Sequence, residues 1–559
     1  MTITRVRWLF AAACILVFLA KMWLVQAHSV LATPTPHDDL LFIRQAHAIL
    51  SGEWLGDYSQ YTLIKGQFYP LFIALSYWLC IPLLAAQQIL YALTCLVFLL
   101  AVRPVLNNRA LLFLVFVFLL LNPFTYNYPA VGRIFRLGIY PTLGLLVFSC
   151  LTGMFLRSRH SLKQALPWSL GMGLALAAFW HTREESIWIV PSLSLVFVYA
   201  LWNGRTWGWR YLGGLVLLFL LPMVILAAST WTLSLLNEHY YGVKAPIEIE
   251  TPEFKSAYGG LLRIRSEHWR QFYPVVKDVR EKAYAVSPAF REIKPYLDGP
   301  VGKKWMDFIH GTDLPAAFFI WVFRDSVAEA GYYKDGRRTL DFYRRMGAEI
   351  DQACADGRLD CRMRITSLVP TWHREYNRLF FPTFFSVFNR IIHFSGFSAK
   401  TDGLLSRGTM GIMRLYSTVT REKVVTSRKD VLQATPEYYR HLNREKTRIL
   451  QDIGGGYQKL VPALFWLALA VLLVILVQSL RKRELCFFTV LALATLAGIA
   501  AITFILTLVA ITSYSEIERA MHTAFPLVLL FILAVFIDLW SRLFPGQTET
   551  THGWSAAEC

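Results

Sequence analysis

The chain has 559 residues, of which 55% are hydrophobic and 15% aromatic, and it carries a formal net charge of +18. Apolar runs long enough to cross a ~30 Å hydrocarbon core recur along it, which excludes a single soluble globule; their unbroken length selects helices over a closed barrel. The charge does not point to nucleic acid: roughly half of the excess lies between Asn237 and Gln458, much of the rest in short loops between apolar runs, and no nucleic-acid motif accompanies it.

In chain order, Arg5 and Arg7 precede an apolar run over residues 8–25. It has the look of a signal-peptide core, but no convincing small-residue cleavage site follows, so it reads as a retained helix with its N-terminus inside. The loop 26–67 then lies outside. It carries His37-Asp38-Asp39, then Ala46-x-x-x-Leu50-Ser-Gly52-Glu53-Trp54, then Lys65-Gly66-x-x-Tyr69-Pro70. Residues 68–84 are apolar but interrupted by Pro70 and Pro82, and a cleaner span over 86–102 ends at Arg103, with Arg109 beyond. Keeping those arginines inside requires 68–84 to be a re-entrant or juxtamembrane helix on the outer side.

Further spans follow over 110–121, 137–155, 166–180, 187–201 and 211–236. Arg133 and Arg136 fall outside after the first of them, and the turn His181-Thr182-Arg183-Glu184-Glu185 outside after the third. A mostly polar stretch follows, then spans over 460–480, 485–511 and 520–540. The expectation is an all-α polytopic membrane protein with about ten spans plus the re-entrant piece and both termini inside. Its parts are an N-terminal transmembrane module (1–236), a mainly helical extracytoplasmic domain (237–458), C-terminal transmembrane helices (459–541) and a cytoplasmic tail (542–559).

Three constellations carry chemistry. Asp38 and Asp39 stand at the start of the outer loop. A carboxylate there can deprotonate an attacking hydroxyl or amine, and its neighbour can raise that base's pKa or help hold a divalent cation, Mg or Mn. The same residues can instead cap the helix that begins at Leu40. Arg183 with Glu184 can bind a phosphate or form an ion pair within a solvated turn. In Ser515-Glu516-Ile517-Glu518-Arg519-Ala520-Met521-His522, Arg519 is placed to receive a lipid phosphate or to anchor the last span; Arg136 has the same two readings. Of the eight cysteines, Cys354 and Cys361 stand apart from the apolar spans, and a turn at Asp356-Gly357 brings them within bonding reach if the region is extracytoplasmic; otherwise they are two thiols. No phosphate-binding loop, zinc pattern or Gly-x-Ser-x-Gly elbow is present.

Together, Asp38-Asp39, the Ala46 to Trp54 stretch and Lys65-Gly66-x-x-Tyr69-Pro70-Leu71 resemble the first outer loop of GT-C-fold membrane glycosyltransferases. The branch is the one that includes protein O-mannosyltransferases and the aminoarabinose transferase of lipid A. The 181–185 turn is similar to their Thr-Lys/Arg-Glu segment, and Glu518-Arg519-x-x-His522-x-x-x-Pro526 to their late Arg-Tyr-x-x-x-x-x-Pro. The likeness covers about the first 200 residues and, weakly, the last 50. The chain departs from the pattern at Asp39 (often Glu), at Gly66-Gln67 (usually Pro-Pro), at Ala520 (usually Tyr) and in placing 237–458 before the last spans.

The resemblance implies a GT-C-like helix bundle and an inverting transferase using a polyprenyl-phosphate sugar. Asp38 would be the base and Asp39 an aid to acceptor or metal contacts. Lys65, Arg183 and Arg519 would contact the phosphate, with Arg136, Glu184 and His522 in the substrate site. The expected partners are the lipid-linked donor, the bilayer and an acceptor that is a glycan, lipid or protein. The expected location is a bacterial plasma membrane with the site on the extracytoplasmic side. A lipid-linked-sugar flippase would need polar residues along a transmembrane path and often repeats, which the chain does not show; a non-catalytic envelope-assembly component on the same scaffold is the other alternative.

Overall fold

The computed structural model describes residues 3–363, 368–401, 405–425, 436–513 and 517–544. Ser515, Glu516 and residues 545–559 of the expected tail lie outside the described residues.

Backbone polar groups are satisfied within helices almost throughout; among the described residues there are isolated β-bridges but no sheet. The protein is an all-α polytopic membrane protein. Among the described residues, eight helices are long and apolar enough to cross a membrane: Arg7–Val25, Leu83–Val102, Arg136–Ser158, Ser186–Gly204, Trp209–Tyr241, Glu437–Lys482, Phe487–Thr512 and Glu518–Leu543. The expected count of ten included two segments that fall short of this standard. Arg109–Leu120 has 12 residues, about 18 Å of helix, and ends where the Leu120 carbonyl accepts a 2.7 Å hydrogen bond from the buried Lys21 ammonium. Leu162–Trp180 is long enough but is diluted by Lys163, Gln164 and Pro167. Phe68–Trp78, at 11 residues, spans about 16 Å and is too short to cross.

The Arg136–Ser158 and Glu518–Leu543 helices are 94% and 89% buried, whereas Arg7–Val25 and Trp209–Tyr241 are each 22% buried. The first two therefore form the middle of the bundle and the other two its lipid-facing edge. A second core, separate from that of the bundle, is built from Phe254, Leu261, Val279, Phe290, Phe323, Phe342, Ile350 and their neighbours. The polar stretch is divided between the two: Val387, Ile391, Phe394 and Tyr416 pack into the core of the spans. One continuous helix of 46 residues, Glu437–Lys482, runs through position 458, so polar and apolar chain are joined without a break there.

Within the second core, the helix Gly336–Ala355 ends at Asp356. Gly357, with φ of +72°, reverses the chain, and Cys354 and Cys361 are disulfide-bonded with Cα atoms 5.6 Å apart.

Candidate functional site

The loop after the first helix is held from three sides. Leu31 N–H donates to the Gly132 carbonyl at 2.7 Å, Val30 N–H to Lys423 at 3.1 Å, and the Tyr416 hydroxyl to the Thr33 carbonyl at 2.8 Å. These anchors deliver Asp38 and Asp39 to the start of the Asp39–Leu50 helix, which packs on Phe68–Trp78 and on Met410–Thr420.

Asp38 occupies the N-cap position of that helix but makes no capping hydrogen bond with its side chain. Its carboxylate is turned instead onto Lys65, with which it forms a hydrogen-bonded ion pair, and it keeps about a third of its surface exposed. Asp39 has no exposed surface and is gripped by Arg133 at 3.0 and 2.5 Å. The two adjacent carboxylates are thus each claimed by a different cation. The same division occurs in the 181–185 turn. Arg136 donates to both oxygens of Glu184 at 2.6 and 2.7 Å and to the Thr182 carbonyl, while Arg183 forks onto Glu185 at 2.9 and 3.1 Å. Arg183 therefore pairs with Glu185 and not with Glu184.

The loop and the turn meet at Gly66. Its N–H donates to Glu184 at 3.2 Å and Phe68 N–H to the His181 carbonyl at 3.1 Å. A Cβ on Gly66 would lie 2.2 Å from that carbonyl oxygen, so a residue without a side chain stands where the resemblance leads one to expect proline.

Burial and charge work against each other across this network. Burial would raise Asp38, but Lys65, His37 and Arg136 outweigh it and hold the carboxyl below its usual range. The expectation that a neighbouring carboxylate would raise the base's pKa is not met, because the nearest charge is an ammonium. Asp39 is pushed up by burial, and the Arg133 fork is what opposes that. Burial lowers Lys65, with Asp38 the main opposing influence. Glu185, which burial would raise, is held down at about 2 by Arg183. Burial lowers both His37 and His181, the latter to about 4.

Above the pair lies a roof drawn from the second core. The His37 ring is 4.6 Å from Trp321 and 5.7 Å from Trp305, and the Lys65 ammonium stands over both Phe42 and Trp321. Asp325 accepts from Tyr61 at 2.7 Å and from the Trp305 indole at 2.8 Å. Beside it, Arg324 and Glu248, both fully buried, pair at 2.7 Å, and Glu248 also accepts from Tyr58 and Tyr333. An unpaired charge could not be buried there, and the ring of hydroxyls completes its hydrogen bonding. None of these roof residues was singled out from the sequence. The available signal was Arg324-Asp325, two charges at the end of the apolar run Ala316–Phe323.

Arg519 and His522 arrive from the start of the last span. Arg519 stands 5.3 Å from the Phe135 ring, whose other neighbour is Arg133 at 4.1 Å, so one aromatic ring separates Arg519 from the cation holding Asp39. His522 is buried, with Nε2 2.9 Å from the Asn127 amide. Among the described residues no group of three or more His, Cys, Asp or Glu is placed to hold a metal ion, and both carboxylates of the pair face cations. No step is therefore routed through a divalent ion.

No family model matches the chain, and no curated protein does. Among solved structures, two crystal structures of ArnT from Cupriavidus metallidurans align with it, one bound to undecaprenyl phosphate and one in the apo state. They cover 98% and 97% of this chain and 82% and 80% of their own, each at 14% identity and a TM-score of 0.30. A likeness of that size transfers no site residue, and the site stands on its own geometry.

Proposed function

We propose that this protein is an inverting membrane glycosyltransferase that moves a sugar from a polyprenyl-phosphate donor to an extracytoplasmic acceptor, in a bacterial plasma membrane. The observation that carries the reading is the position of Asp38, which sits at a helix cap without capping it and presents an ionised, part-exposed carboxylate beside a lysine.

In the proposed step the acceptor hydroxyl or amine attacks the anomeric carbon from the face opposite the phosphate. Asp38 takes the acceptor's proton as the new bond forms. The bond from the anomeric carbon to the phosphate oxygen breaks, and the phosphate leaves with the electron pair. Lys65 serves both ends: it keeps Asp38 ionised before the reaction and offers its ammonium to the departing phosphate. Arg136, Arg183 and Arg519 supply further positive charge around the loop, and Asp39 acts as a positioning residue by fixing Arg133. Glu184 orients Arg136 and the Gly66 backbone, and His522 supports the Arg519 turn from below.

The test is transfer by purified wild type and Asp38→Asn in proteoliposomes, with a panel of radiolabelled polyprenyl-phosphate sugars and a crude envelope extract as acceptor. Label moved by wild type alone supports the transferase and its base together. Equal transfer by both proteins removes Asp38 from the role of base. Donor binding without transfer by either shifts the reading to a carrier or an assembly component.

A further inference from the structure

The helix Glu375–Ile392 belongs to the stretch that reads as an outer domain, yet its free surface is apolar. It packs against the spans Phe487–Thr512 and Glu437–Lys482, with Phe380 5.5 Å from Phe504 and Phe388 5.9 Å from Phe465. Phe381 and Phe385, one turn apart, are 64% and 63% exposed, and Pro382 between them is exposed too. Polar residues flank this belt on the same face: Asn377 and Arg378 before it, Ser386 and Asn389 after it.

Both ends of the helix return to the same end of the bundle. At the start, His373 stacks on Trp269 at 4.0 Å. Nearby, Gln271 donates to the Ile511 carbonyl at the last turn of the Phe487–Thr512 span. At the finish, Arg390 pairs with Glu518, and Ser398 N–H donates to Asn127 at 2.9 Å. The helix has 18 residues, about 27 Å, long enough to span, but it does not cross, because its two ends are tied to one side.

Its exposed phenylalanines continue the apolar surface of the spans, where Phe504 and Trp466 are also exposed. A contiguous apolar surface adjoining membrane-spanning helices, with cations and amides at its margins, is suited to the boundary between acyl chains and headgroups. We propose that Glu375–Ile392 is an in-plane membrane helix, with Phe381, Pro382 and Phe385 immersed in the acyl chains of the leaflet on the side of the 26–67 loop. The exposed Arg374 and Arg378 reach the lipid phosphates at its N-terminal end. The polar stretch is therefore not wholly a water-side domain: one of its helices is part of the membrane surface.

The test is nitroxide labelling of the full chain in phosphatidylcholine proteoliposomes. Cys80 and Cys559 are replaced by serine; the other free cysteines in the described chain, Cys14, Cys95, Cys150 and Cys486, are buried. Labels are placed at Phe385→Cys and, so that loss of the phenylalanine does not decide the result, at Ser386→Cys. Leu473→Cys provides the lipid-facing reference and Arg344→Cys the water-facing one, both positions being exposed. The expected result at 385 is an oxygen-to-nickel-chelate accessibility ratio comparable to that at 473 and several-fold above that at 344, with an intermediate ratio at 386. A ratio at 385 and 386 equal to that at 344 overturns the proposal. So does protection from both reagents with dipolar broadening between labels, which would identify a second copy of the chain as the occupant.

Discussion

Lys65 does two jobs with one ammonium. It holds Asp38 below the ordinary carboxylate range, and in the proposed reaction it faces the leaving phosphate. A carboxyl depressed in the folded state contributes stability above its unfolded pKa and loses that contribution as pH falls through the folded value. In Lys65→Met the carboxylate lacks its main counter-charge and its pKa rises towards or past the unfolded value. Thermal unfolding in detergent between pH 3 and 8 is therefore expected to show a smaller loss of stability on acidification in the variant than in wild type, whereas the acid limb of any transfer activity should move to higher pH. Superimposable pH curves would mean that Lys65 does not set the ionisation of Asp38. Its neighbour Gly66 offers a purely steric test. The alanine Cβ would lie 2.2 Å from the His181 carbonyl, and overpacking of that kind costs about 1–3 kcal/mol. Gly66→Ala should lower the unfolding midpoint, whereas Gly455→Ala, with nothing within 4 Å of its Cβ and inside a helix, should leave it unchanged or raise it. Equal midpoints for the two would remove the close approach between the loop and the 181–185 turn.

At the scale of elements, what the sequence makes legible is local. Apolar runs mark their own spans, and Pro82 and Asn122-Pro123 fall in the breaks between helices, whereas Pro70 sits in the first turn of Phe68–Trp78. Asp38 draws notice because two adjacent carboxylates at a membrane surface are costly. Arg133 is legible only as a basic residue on the outer side and not as the partner of Asp39, which lies 94 residues away. The roof over Lys65 is hidden for the same reason: Trp305, Trp321 and Asp325 reach the loop only after the second core has folded. The cap of the Leu83–Val102 span is a further case. Leu84 N–H donates at 2.8 Å to Glu422, 338 residues on. Burial raises that carboxyl from 4.5 to about 7, the Leu84 hydrogen bond opposing it only in part. An acid whose folded pKa is raised binds its proton more tightly when folded, so its contribution to stability is greatest below 4.5 and declines as pH climbs towards about 7. Glutamine keeps the acceptor oxygen and removes the titration. Glu422→Gln should therefore match wild type at pH 4 and unfold at a higher temperature at pH 8. The same offset at both pH values would show that Glu422 does not titrate in this range.

The whole molecule is polarised end to end. At one end Arg157 donates to the Leu100 and Ala101 carbonyls, Tyr199 to the Leu485 carbonyl, and Arg542 to Ser479; Arg103, Arg159, Lys163, Arg205 and Arg481 lie at or beside the helix ends here. At the other lie the 26–67 loop, the 181–185 turn and the second core, docked on the spans where Ala317 N–H donates to Ser513. Two independent arguments support the proposed orientation. Short basic loops stay in the cytoplasm, and a disulfide in the second core belongs to an oxidising compartment. With Cys80 and Cys559 replaced by serine, a membrane-impermeant maleimide added to intact cells should label Arg344→Cys, and should reach Lys482→Cys only after permeabilisation. The reverse pattern would put Asp38 and Lys65 on the cytoplasmic face. It would also remove the extracytoplasmic lipid-linked donor from the proposed reaction, since a cytoplasmic site has soluble sugar nucleotides at hand and no need of a polyprenyl carrier.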